Sequence, residues 1–539
     1  MIGIGATLFK RMAGGSRFSP ASLFSGGEAG VWFDPSDSRT LLRTETGTDG
    51  YLPSVIGEPV ALMFDKSQSL TRDVELVTNG DFAQDSNWSK GAGWTIAGGQ
   101  AVATNISNKN LTQGNLGLQD MATYQITFTM TRTAGSLVVR FGGTTVVDHE
   151  PIEQSGAYTV YLTANNSNDS IVMRGKNGFT GTVDNVSVRR VLGNHAIQAT
   201  SANQPIYARN PERGAVNLLE YTEQFDNSDW DTGTNSTLTA NYAASPVGTQ
   251  TADRLELPTL SSTFTRQLAF ITSGKTYTLS VYVKATSGTS SFTIFDTATG
   301  STVDSGTQTA TSEWQRFTLT TTATVSGSHY YGISNGDDSY ASDILIWGAQ
   351  VEEASGATNY QKVVSQYDVT EAGMPSVHYL DFDGTSDSMA IEGLTSSSTP
   401  ITAFFGYSST TASGTFNYLL DIEVGRTIFC ASGNVANQPG YYDGAFSTFA
   451  ADANALKVLS YEVIENDAKV RIDGVQEYSD TTYDQHAIGG NIGLFSSNNG
   501  ASSYTRGHMY QTILRAAEST DAEIAKTETF VAKKTGITL

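Results

Sequence analysis

Apolar and polar residues alternate with a period of two through most of this chain. Residues 124–130 read YQITFTM and residues 277–283 read YTLSVYV, with an apolar side chain at every second position and mostly polar residues between. This alternation places apolar side chains on one face of an extended segment, and it predicts half-buried strands. We therefore expect an all-β chain made of several antiparallel β-sandwich domains.

A short helix is predicted only near residue 539. Thr520 and Glu523 have the spacing of a capping box, and residues 524, 525, 528 and 531 mark successive turns. Lys533 and Lys534 suit the negative end of a helix dipole, and Gly536 can end the helix. The expected fold is thus all-β with one short C-terminal helix.

Two blocks of the sequence are similar to each other. FAQDSNW at 82–88 corresponds to FDNSDW at 225–230, and VDNVSV at 183–188 corresponds to SDILIW at 342–347. With its opening LVTNGDF, the first block resembles jelly-roll carbohydrate-binding modules of the family-4/9 type. The second, with NLLEYTEQF and IWGAQVE, resembles modules of tailed-phage structural proteins. The resemblance implies jelly rolls at 76–190 and 214–363, whose neighbouring ends suit insertion into a host loop.

The segments around these blocks resemble a laminin-G/concanavalin-like sandwich. The resemblance is carried by AGVWFDPSDSRTL, FDKS and NHAIQATSANQP in the first part of the chain, and by MPSVHYLDFDGTSDS, KVRIDG and NIGLF in the last part. It implies one discontinuous domain made of residues 28–75, 191–213 and 364–539, which the two jelly rolls interrupt. Residues 1–27 form an N-terminal segment, either a flexible leader or an anchor that attaches to a larger assembly.

The charge balance and the single cysteine exclude several classes of function. The chain has 54 acidic and 32 basic residues, a formal net charge of −22. A nucleic-acid partner is excluded because a binding groove must neutralise phosphates with Lys and Arg. Cys430 alone cannot form a disulfide framework or a thiolate-only zinc site. No apolar run approaches the ~18 residues that a membrane span needs, so we expect no membrane insertion.

Motifs for catalysis are weak. The six histidines lack the spacing of a metal pair. GISNG at 332–336 fits the nucleophile-elbow string, but an elbow needs a helix after it, whereas another strand is predicted here. Carboxylate pairs such as Asp381 and Asp383 could serve glycoside hydrolysis, although we interpret them as solvated turn residues. We expect no enzymatic activity and no required cofactor.

A structural calcium ion is the one cofactor that the resemblance implies. Jelly-roll modules of this type often hold Ca²⁺ where the first and last strands meet, with carboxylate and backbone oxygens as ligands. The implied ligands are Asp81 and Asp184 in the first module and Asp343 in the second. The alternative is that these three residues are ordinary turn and cap carboxylates.

A sugar site requires an aromatic platform beside polar groups, because a pyranose has an apolar face and a polar rim. The tryptophans near strand starts, Trp88, Trp94 and Trp230, are expected in the domain cores. The candidates for exposed glycan-binding residues lie in Gly-, Ser- and Asn-rich contexts and are Tyr330, Tyr331, Tyr340, Tyr441, Tyr442 and Asp443. Adjacent tyrosines on a strand point to opposite faces, so each pair offers one ring at most.

Together with the opening at 19–37, this combination of domains resembles a virion structural protein of a tailed bacteriophage. The resemblance implies a non-enzymatic fibre, spike or tail-tip adhesin on the extracellular particle. It would attach to other virion proteins through its N-terminal segment and contact a host surface glycan. Such proteins are commonly symmetric homo-oligomers, and a trimer is the default expectation. The alternatives are a capsid or tail decoration protein that binds no sugar, and a polysaccharide-degrading enzyme.

Overall fold

The computed structural model describes residues 18–44, 51–212, 216–336, 339–396, 400–409, 417–423, 426–432, 440–442, 446–448, 456–464, 467–480, 488, 491–496 and 504–539. They fall into two compact units. The first takes the described residues within 1–54, 60–205 and 382–539, and the second takes 55–59 and 206–381. Most of the predicted N-terminal segment, residues 1–17, lies outside the described residues.

The first unit begins with thirteen strands and three short 3-10 turns, at Pro20–Phe24, Ser38–Thr40 and Ser201–Asn203. The strands are β1 (Gly30–Phe33), β2 (Leu41–Thr44), β3 (Tyr51–Pro53), β4 (Leu62–Met63), β5 (Ser89–Lys90), β6 (Trp94–Ala97), β7 (Gln100–Ile106), β8 (Lys109–Gly114), β9 (Thr123–Gly142), β10 (Val147–Asp148), β11 (Gly156–Thr163), β12 (Ser170–Arg190) and β13 (Ala196–Ile197).

Strands β5 to β12 form an antiparallel sandwich in which β9 and β12 run through both sheets. The first half of β12 pairs with β8 and the second half with β7, while β9 lies along its other side throughout. The alternation at 124–130 is confirmed, because Tyr124, Ile126, Phe128 and Met130 are all buried in the core. Trp88 and Trp94 lie in the same core, as predicted.

The chain enters this sandwich beside the point where it leaves. Arg72 and Val191 form an antiparallel bridge. The Asp73 N–H then donates to the Arg190 carbonyl at 2.9 Å, and the Leu76 N–H donates to Val188 at 3.1 Å. The two ends of the module are therefore hydrogen-bonded to each other.

The second unit contains the next fifteen strands. They are β14 (Ile206–Pro211), β15 (Asp231–Thr232), β16 (Thr237–Ala243), β17 (Ala252–Leu257), β18 (Phe264–Ile271), β19 (Thr276–Ala285), β20 (Ser290–Asp296), β21 (Val303–Asp304), β22 (Gln308–Ala310), β23 (Gln315–Thr322), β24 (Gly327–Ser334), β25 (Ser342–Glu352), β26 (Gln361–Ser365), β27 (Asp368–Glu371) and β28 (Ser376–Asp383).

Strands β15 to β25 form two antiparallel sheets that enclose one core. The first has the order β15-β18-β24-β20-β21, with β22 also on β20, and the second has the order β16-β17-β25-β19-β23. Trp230 and the apolar residues of β19 lie between the sheets, as predicted. In the same unit, β26, β27, β14 and β28 pair with one another in that order, and β14 and β27 are parallel.

The first unit is completed by eleven strands and one α-helix. They are β29 (Met389–Glu392), β30 (Ile401–Ser409), β31 (Asn417–Glu423), β32 (Arg426–Ser432), β33 (Gly440–Tyr442), β34 (Phe446–Thr448), β35 (Lys457–Ile464), β36 (Asp467–Ile472), β37 (Val475–Asp480), β38 (Asn491–Leu494), β39 (Arg506–Arg515) and α1 (Asp521–Thr535).

These strands join the earlier ones in two sheets. One sheet has the order β1-β39-β30-β35-β36-β37. The other has the order β3-β2-β4-β13-β29-β38-β31-β32-β33-β34. Segments near residues 62, 196 and 390 therefore pair side by side, although they are far apart in the sequence. The predicted all-β class is confirmed, while the predicted domain boundaries stay a prediction.

The C-terminal helix is confirmed together with its caps. The Thr520 hydroxyl accepts from the Glu523 N–H, and the Glu523 carboxylate accepts from the Thr520 N–H. Gly536 ends the helix with a φ of 82°, which a glycine adopts without strain. Ile524 and Val531 pack against Phe404 of β30 and other core residues of that sheet. No helix in the described part of the chain has the length and apolar character that crossing a bilayer requires.

Candidate functional site: the outer face of the β18 sheet

Strand β18 in the second unit turns apolar side chains outward. Thr265, Gln267, Ala269 and Ile271 are buried on its inner side. The intervening positions face out and carry Phe264, Arg266, Leu268 and Phe270. Phe270 is 71% exposed and Leu268 is 47% exposed. The exposed ring and the exposed leucine are adjacent on one sheet face, and such contiguous apolar area is a candidate contact surface.

The neighbouring strand β24 places Tyr330 on the same face. Tyr330 is the direct cross-strand partner of Leu268, and the pair Ser328 and Phe270 comes next in the register. Arg266 faces Gly332, and a Cβ atom at Gly332 would lie 2.6 Å from the Arg266 Cβ. The absence of a side chain at Gly332 therefore leaves room for the Arg266 side chain over the sheet.

Arg266 is held between two aromatic rings and a carboxylate. Its guanidinium carbon lies 4.2 Å from the Phe264 ring centre and 3.8 Å from the Tyr330 ring centre. Its Nε donates to the Asp231 carboxylate on β15 at 2.8 Å, and Nη2 lies 2.8 Å from the same oxygen. Stacking on aromatic faces together with a fixed carboxylate partner restricts the rotamers of Arg266. The arrangement is thus ordered before any ligand arrives.

We define the β18 strip as this set of outward-facing residues. Its members are Asp231, Phe264, Arg266, Leu268, Phe270 and Tyr330. The strip combines apolar area with one paired guanidinium and carboxylate. Apolar rings can pack on the C–H face of a pyranose, and the charged pair can hydrogen-bond to hydroxyls at the rim of the sugar.

The three tyrosines predicted in this region, Tyr330, Tyr331 and Tyr340, differ in the face they occupy and in their exposure. Tyr331 points to the opposite face from Tyr330 and is 1% exposed, and burial raises the pKa of its phenol. Tyr340 is half-buried, and its hydroxyl is hydrogen-bonded to Thr293 of β20. A Cβ at Gly336 would lie 2.7 Å from that hydroxyl. Of the three, Tyr330 has its ring in the strip.

Sequence reasoning missed five of the six members of the strip: Asp231, Phe264, Arg266, Leu268 and Phe270. The string FTRQLAFI at 264–271 alternates, but both phases contain apolar residues. The sequence did contain a signal. Leu268 and Phe270 alternate in step with Arg266, and a strand face that points into a core rarely carries an arginine.

The second group of predicted glycan-binding residues belongs to a different part of the chain. Tyr441 and Tyr442 belong to β33 in the first unit. Asp443 lies outside the described residues. These three residues stay a prediction from the sequence.

The three carboxylates implied as calcium ligands have different surroundings. Asp81 is exposed and its side chain accepts from the Ala83 N–H at 3.3 Å. The half-buried Asp184 accepts from the Asn185 N–H at 2.7 Å. Both oxygens of Asp343 accept from Arg254, at 2.9 and 2.8 Å, and these hydrogen bonds lower the pKa of Asp343.

The carboxylate of Asp343 therefore pairs with the Arg254 guanidinium, which already engages both oxygens that a metal ion would need. Across the described ranges, no three His, Cys, Asp or Glu side chains form a group that could hold a metal ion. Calcium binding stays a prediction from the resemblance, and no part of the β18 strip depends on it.

No protein-family model matches this sequence, and the curated proteins include no match. Among solved structures, a tandem of two carbohydrate-binding CBM22 modules from Paenibacillus barcinonensis is 9% identical, with a TM-score of 0.22, over 53% of this chain and 99% of that chain. The enzymatically active domain of tailspike protein 4 of bacteriophage CBA120 is 16% identical, with a TM-score of 0.19, over 25% of this chain and 21% of that chain.

A triple jelly-roll protein of an archaeal virus turret is 10% identical, with a TM-score of 0.15. That match covers 80% of this chain and 90% of the viral chain. The similar structures thus include carbohydrate-binding jelly rolls, a phage tailspike domain and a viral jelly-roll protein. At these TM-scores they do not assign a function to this chain.

Proposed function

We propose that this protein is a surface protein of a tailed-phage virion that binds host glycans through the β18 strip. The observation that carries the proposal is the exposed Phe270 and Leu268, aligned on one sheet face with Tyr330 and a preordered pair of Arg266 and Asp231. Apolar side chains beside a few fixed polar groups are what sugar recognition needs.

The charge of the chain favours a neutral sugar over an anionic one. The formal net charge is −22, so an anionic bacterial envelope repels the protein within the ~8–10 Å screening length. Arg266 does not reverse this, because Asp231 already neutralises it. Neutral hexoses with an exposed C–H face are therefore the proposed ligand class of the strip.

The virion assignment rests on the sequence resemblance and on valency. An exposed strip of this size supports only weak monovalent contact with a sugar. Several linked copies raise the overall affinity by 10²–10⁴ where the geometry permits simultaneous contacts. A homo-oligomer on a particle, with a trimer as the default, supplies such copies, and the N-terminal segment is proposed to make the attachment.

We assign no chemical step to the strip. Glycoside hydrolysis uses two carboxyl groups ~5–9.5 Å apart, one on each side of the scissile bond. The carboxylate of the strip, that of Asp231, is paired with Arg266. Binding without product release is accordingly the proposed activity.

A glycan array with the full-length protein tests the proposal. Phe270→Ala removes the most exposed ring of the strip, and we expect binding to the best neutral glycan to weaken by about tenfold, the ~1.4 kcal/mol scale of one aromatic contact. Val247→Ala is the matched control, since Val247 is also an exposed apolar residue of the second unit, at 66%, but lies outside the strip.

The outcomes separate the alternatives. Equal loss in both variants, or none in either, would refute the role of the strip. Release of reducing ends would support a polysaccharide-degrading enzyme, and silence on the glycans of the host strain would favour a decoration protein. Labelling the protein in intact particles tests the virion assignment separately, because a free monomer in the infected cell contradicts it.

A further inference from the structure

One edge of the second module, which consists of strands β15 to β25, is a long and regular strand. β23 ends the sheet order β16-β17-β25-β19-β23, and its eight residues pair with β19 without a bulge. The opposite edge strand, β16, has a register shift between Thr239 and Ala243. In the other sheet, β15, β21 and β22 have only two or three residues each. Proteins usually shorten, bulge or charge their edge strands, because an open edge can pair with another chain.

The outer edge of β23 presents backbone groups that no other described strand pairs with. Directly after the strand, the Ala323 N–H donates to the Lys275 carbonyl at 2.8 Å. The direction of the backbone groups alternates along a strand, so the groups of residues 317, 319 and 321 also point to β19. Those of residues 316, 318, 320 and 322 therefore point away from the sheet.

The inner side of the same strand is incompletely covered. Phe317 and Leu319 pack against the core of the module, but both are only half-buried. The ring of Phe317 lies 4.8 Å from that of Phe292 in an edge-to-face contact, so it closes the rim of the core. A further strand alongside β23 would remove more of this apolar surface from water, which is favourable.

The first module shows what covers the corresponding edge there. β11 has the position of β23, because each pairs with the strand that begins at a Thr-Tyr pair, residues 123–124 in β9 and 276–277 in β19. β3 pairs with the outer edge of β11 through Tyr51 and Tyr161. Among the described strands, β23 has no such neighbour.

The charge of β23 favours a second copy of this chain as the missing neighbour. The chain has a net charge of −22, but β23 contains no acidic residue. Its one charged residue, Arg316, lies over the neighbouring strand and donates to the Ser280 hydroxyl at 2.9 Å and to the Thr358 carbonyl. Two copies can therefore approach each other along this edge without bringing acidic strand residues together.

The sequence of β23 is also complementary to itself. In an antiparallel pair centred on Leu319, each residue with outward backbone groups opposes another such residue. Leu319 then faces its own copy, Thr318 faces Thr320, and Arg316 faces Thr322. Apolar and Thr–Thr pairs are favourable across strands, and no like charges are directly opposite each other.

We propose that β23 pairs antiparallel with β23 of a second copy of this chain, so that the sheets of two second modules continue into each other across a twofold axis. Both copies contribute the same residues to such an interface. One strand pair buries less than the ~800 Å² per partner of a standard interface, so we expect association in the micromolar range. This proposal replaces the default trimer by a pair. It does not depend on the glycan proposal, because the β18 strip belongs to the other sheet of the module.

The mass of the full-length protein in solution tests the pairing. Sedimentation equilibrium should give a mass that rises toward that of two chains between about 1 and about 100 µM. The mass of a single chain at every concentration overturns the proposal, and so does a mass that reaches three chains. Glycan binding is measured separately, so either proposal can fail while the other stands.

Variants of Thr318 locate the interface. Thr318→Lys charges the edge, and in the proposed register the two lysines are diagonal neighbours across the twofold axis. Thr318→Pro deletes one outward N–H and leaves the hydrogen bonds to β19 in place. Each should weaken the pairing by about tenfold or more, because the edge then lacks a donor or carries a repelling charge.

Thr237→Lys is the matched control, since Thr237 is an exposed threonine on β16, at the opposite edge of the same sheet. It should leave the pairing unchanged. The melting temperature of each variant shows whether the module is still folded. Pairing that survives both Thr318 variants in the folded state, or that weakens equally in Thr237→Lys, overturns the proposal.

Discussion

Asp65 makes the stability of the first unit depend on pH in the direction opposite to that of a carboxylate whose pKa is lowered by folding. The side chain is fully buried, and its oxygens accept from the Trp32 and Ser67 N–H groups, the Ser67 hydroxyl and the Asn194 N–H at 2.8–3.0 Å. Burial raises the pKa of Asp65 from 3.8 to about 6, although these donors oppose the shift. The effect of burial on the pKa of Asp65 is therefore larger than the combined effect of the four hydrogen bonds.

The expected change in the free energy of unfolding follows from that shift of about two pKa units. Each unit corresponds to ~1.36 kcal/mol, so the contribution of Asp65 is about 3 kcal/mol. Because the folded pKa is raised, the stabilisation is fully present below pH 4 and is lost as the pH rises through 6. Acid should strengthen this site, whereas Asp37 and Asp383, whose pKa values are lowered in the fold, act in the opposite sense.

The assay is urea unfolding of the full-length protein and of Asp65→Asn at pH 4, 5, 6 and 7. Asn keeps the size of the side chain and two acceptor bonds but does not titrate in this range. The free energy of unfolding of the wild type relative to the variant should fall by about 2 kcal/mol from pH 4 to pH 7, since part of the full change lies outside this range. A difference that stays constant, or that grows as the pH rises, would refute the reasoning.

Two further substitutions test the local structure. Thr520→Ala removes the N-cap of α1 and should lower the free energy of unfolding by ~1 kcal/mol, while Thr529→Ala on the same helix should have a smaller effect; urea unfolding followed by circular dichroism measures both. Gly135→Ala places a Cβ 2.3 Å from the Phe179 nitrogen at a φ of 67°, whereas Gly99→Ala has a similar φ of 75° and open space around it. The first should lower the melting temperature clearly more than the second, and equal shifts would show that φ strain alone matters.

The features of the fold that follow local rules could be predicted from the sequence. The strand alternation at 124–130, the core tryptophans and the capping box of Thr520 and Glu523 each depend on residues within a few positions of one another. The length of β12 was not predicted, because only its second half has the VDNVSV pattern. Its first half pairs with β8 about sixty residues earlier, a contact that local sequence does not encode.

Most of the β18 strip was not predicted from the sequence. Both faces of β18 contain apolar residues, so the sequence does not show which face points outward. The pairing of β18 with β24 decides this. The hydrogen bond from the Asp65 N–H to Nδ1 of His195 could not be predicted either, because the two residues lie 130 positions apart. The neighbours Asn194 and Ala196 give no local sign of this partner.

The Asp65 cluster also explains how the body sheet tolerates a large insertion. β4 and β13 pair directly at Met63 and Ala196, so for that sheet residues 64–195 are the connection of a hairpin. Doubling the length of a loop adds only ~0.6 kcal/mol to its closure cost, so the body can fold with little regard to the length of this connection. What must be fixed is the geometry at its ends. Asp65 fixes it from both sides, since its carboxylate accepts from Ser67 on the outgoing chain and from Asn194 on the returning chain. A Cβ at Gly193 would lie 2.8 Å from that carboxylate, so the close approach of the returning chain requires a glycine.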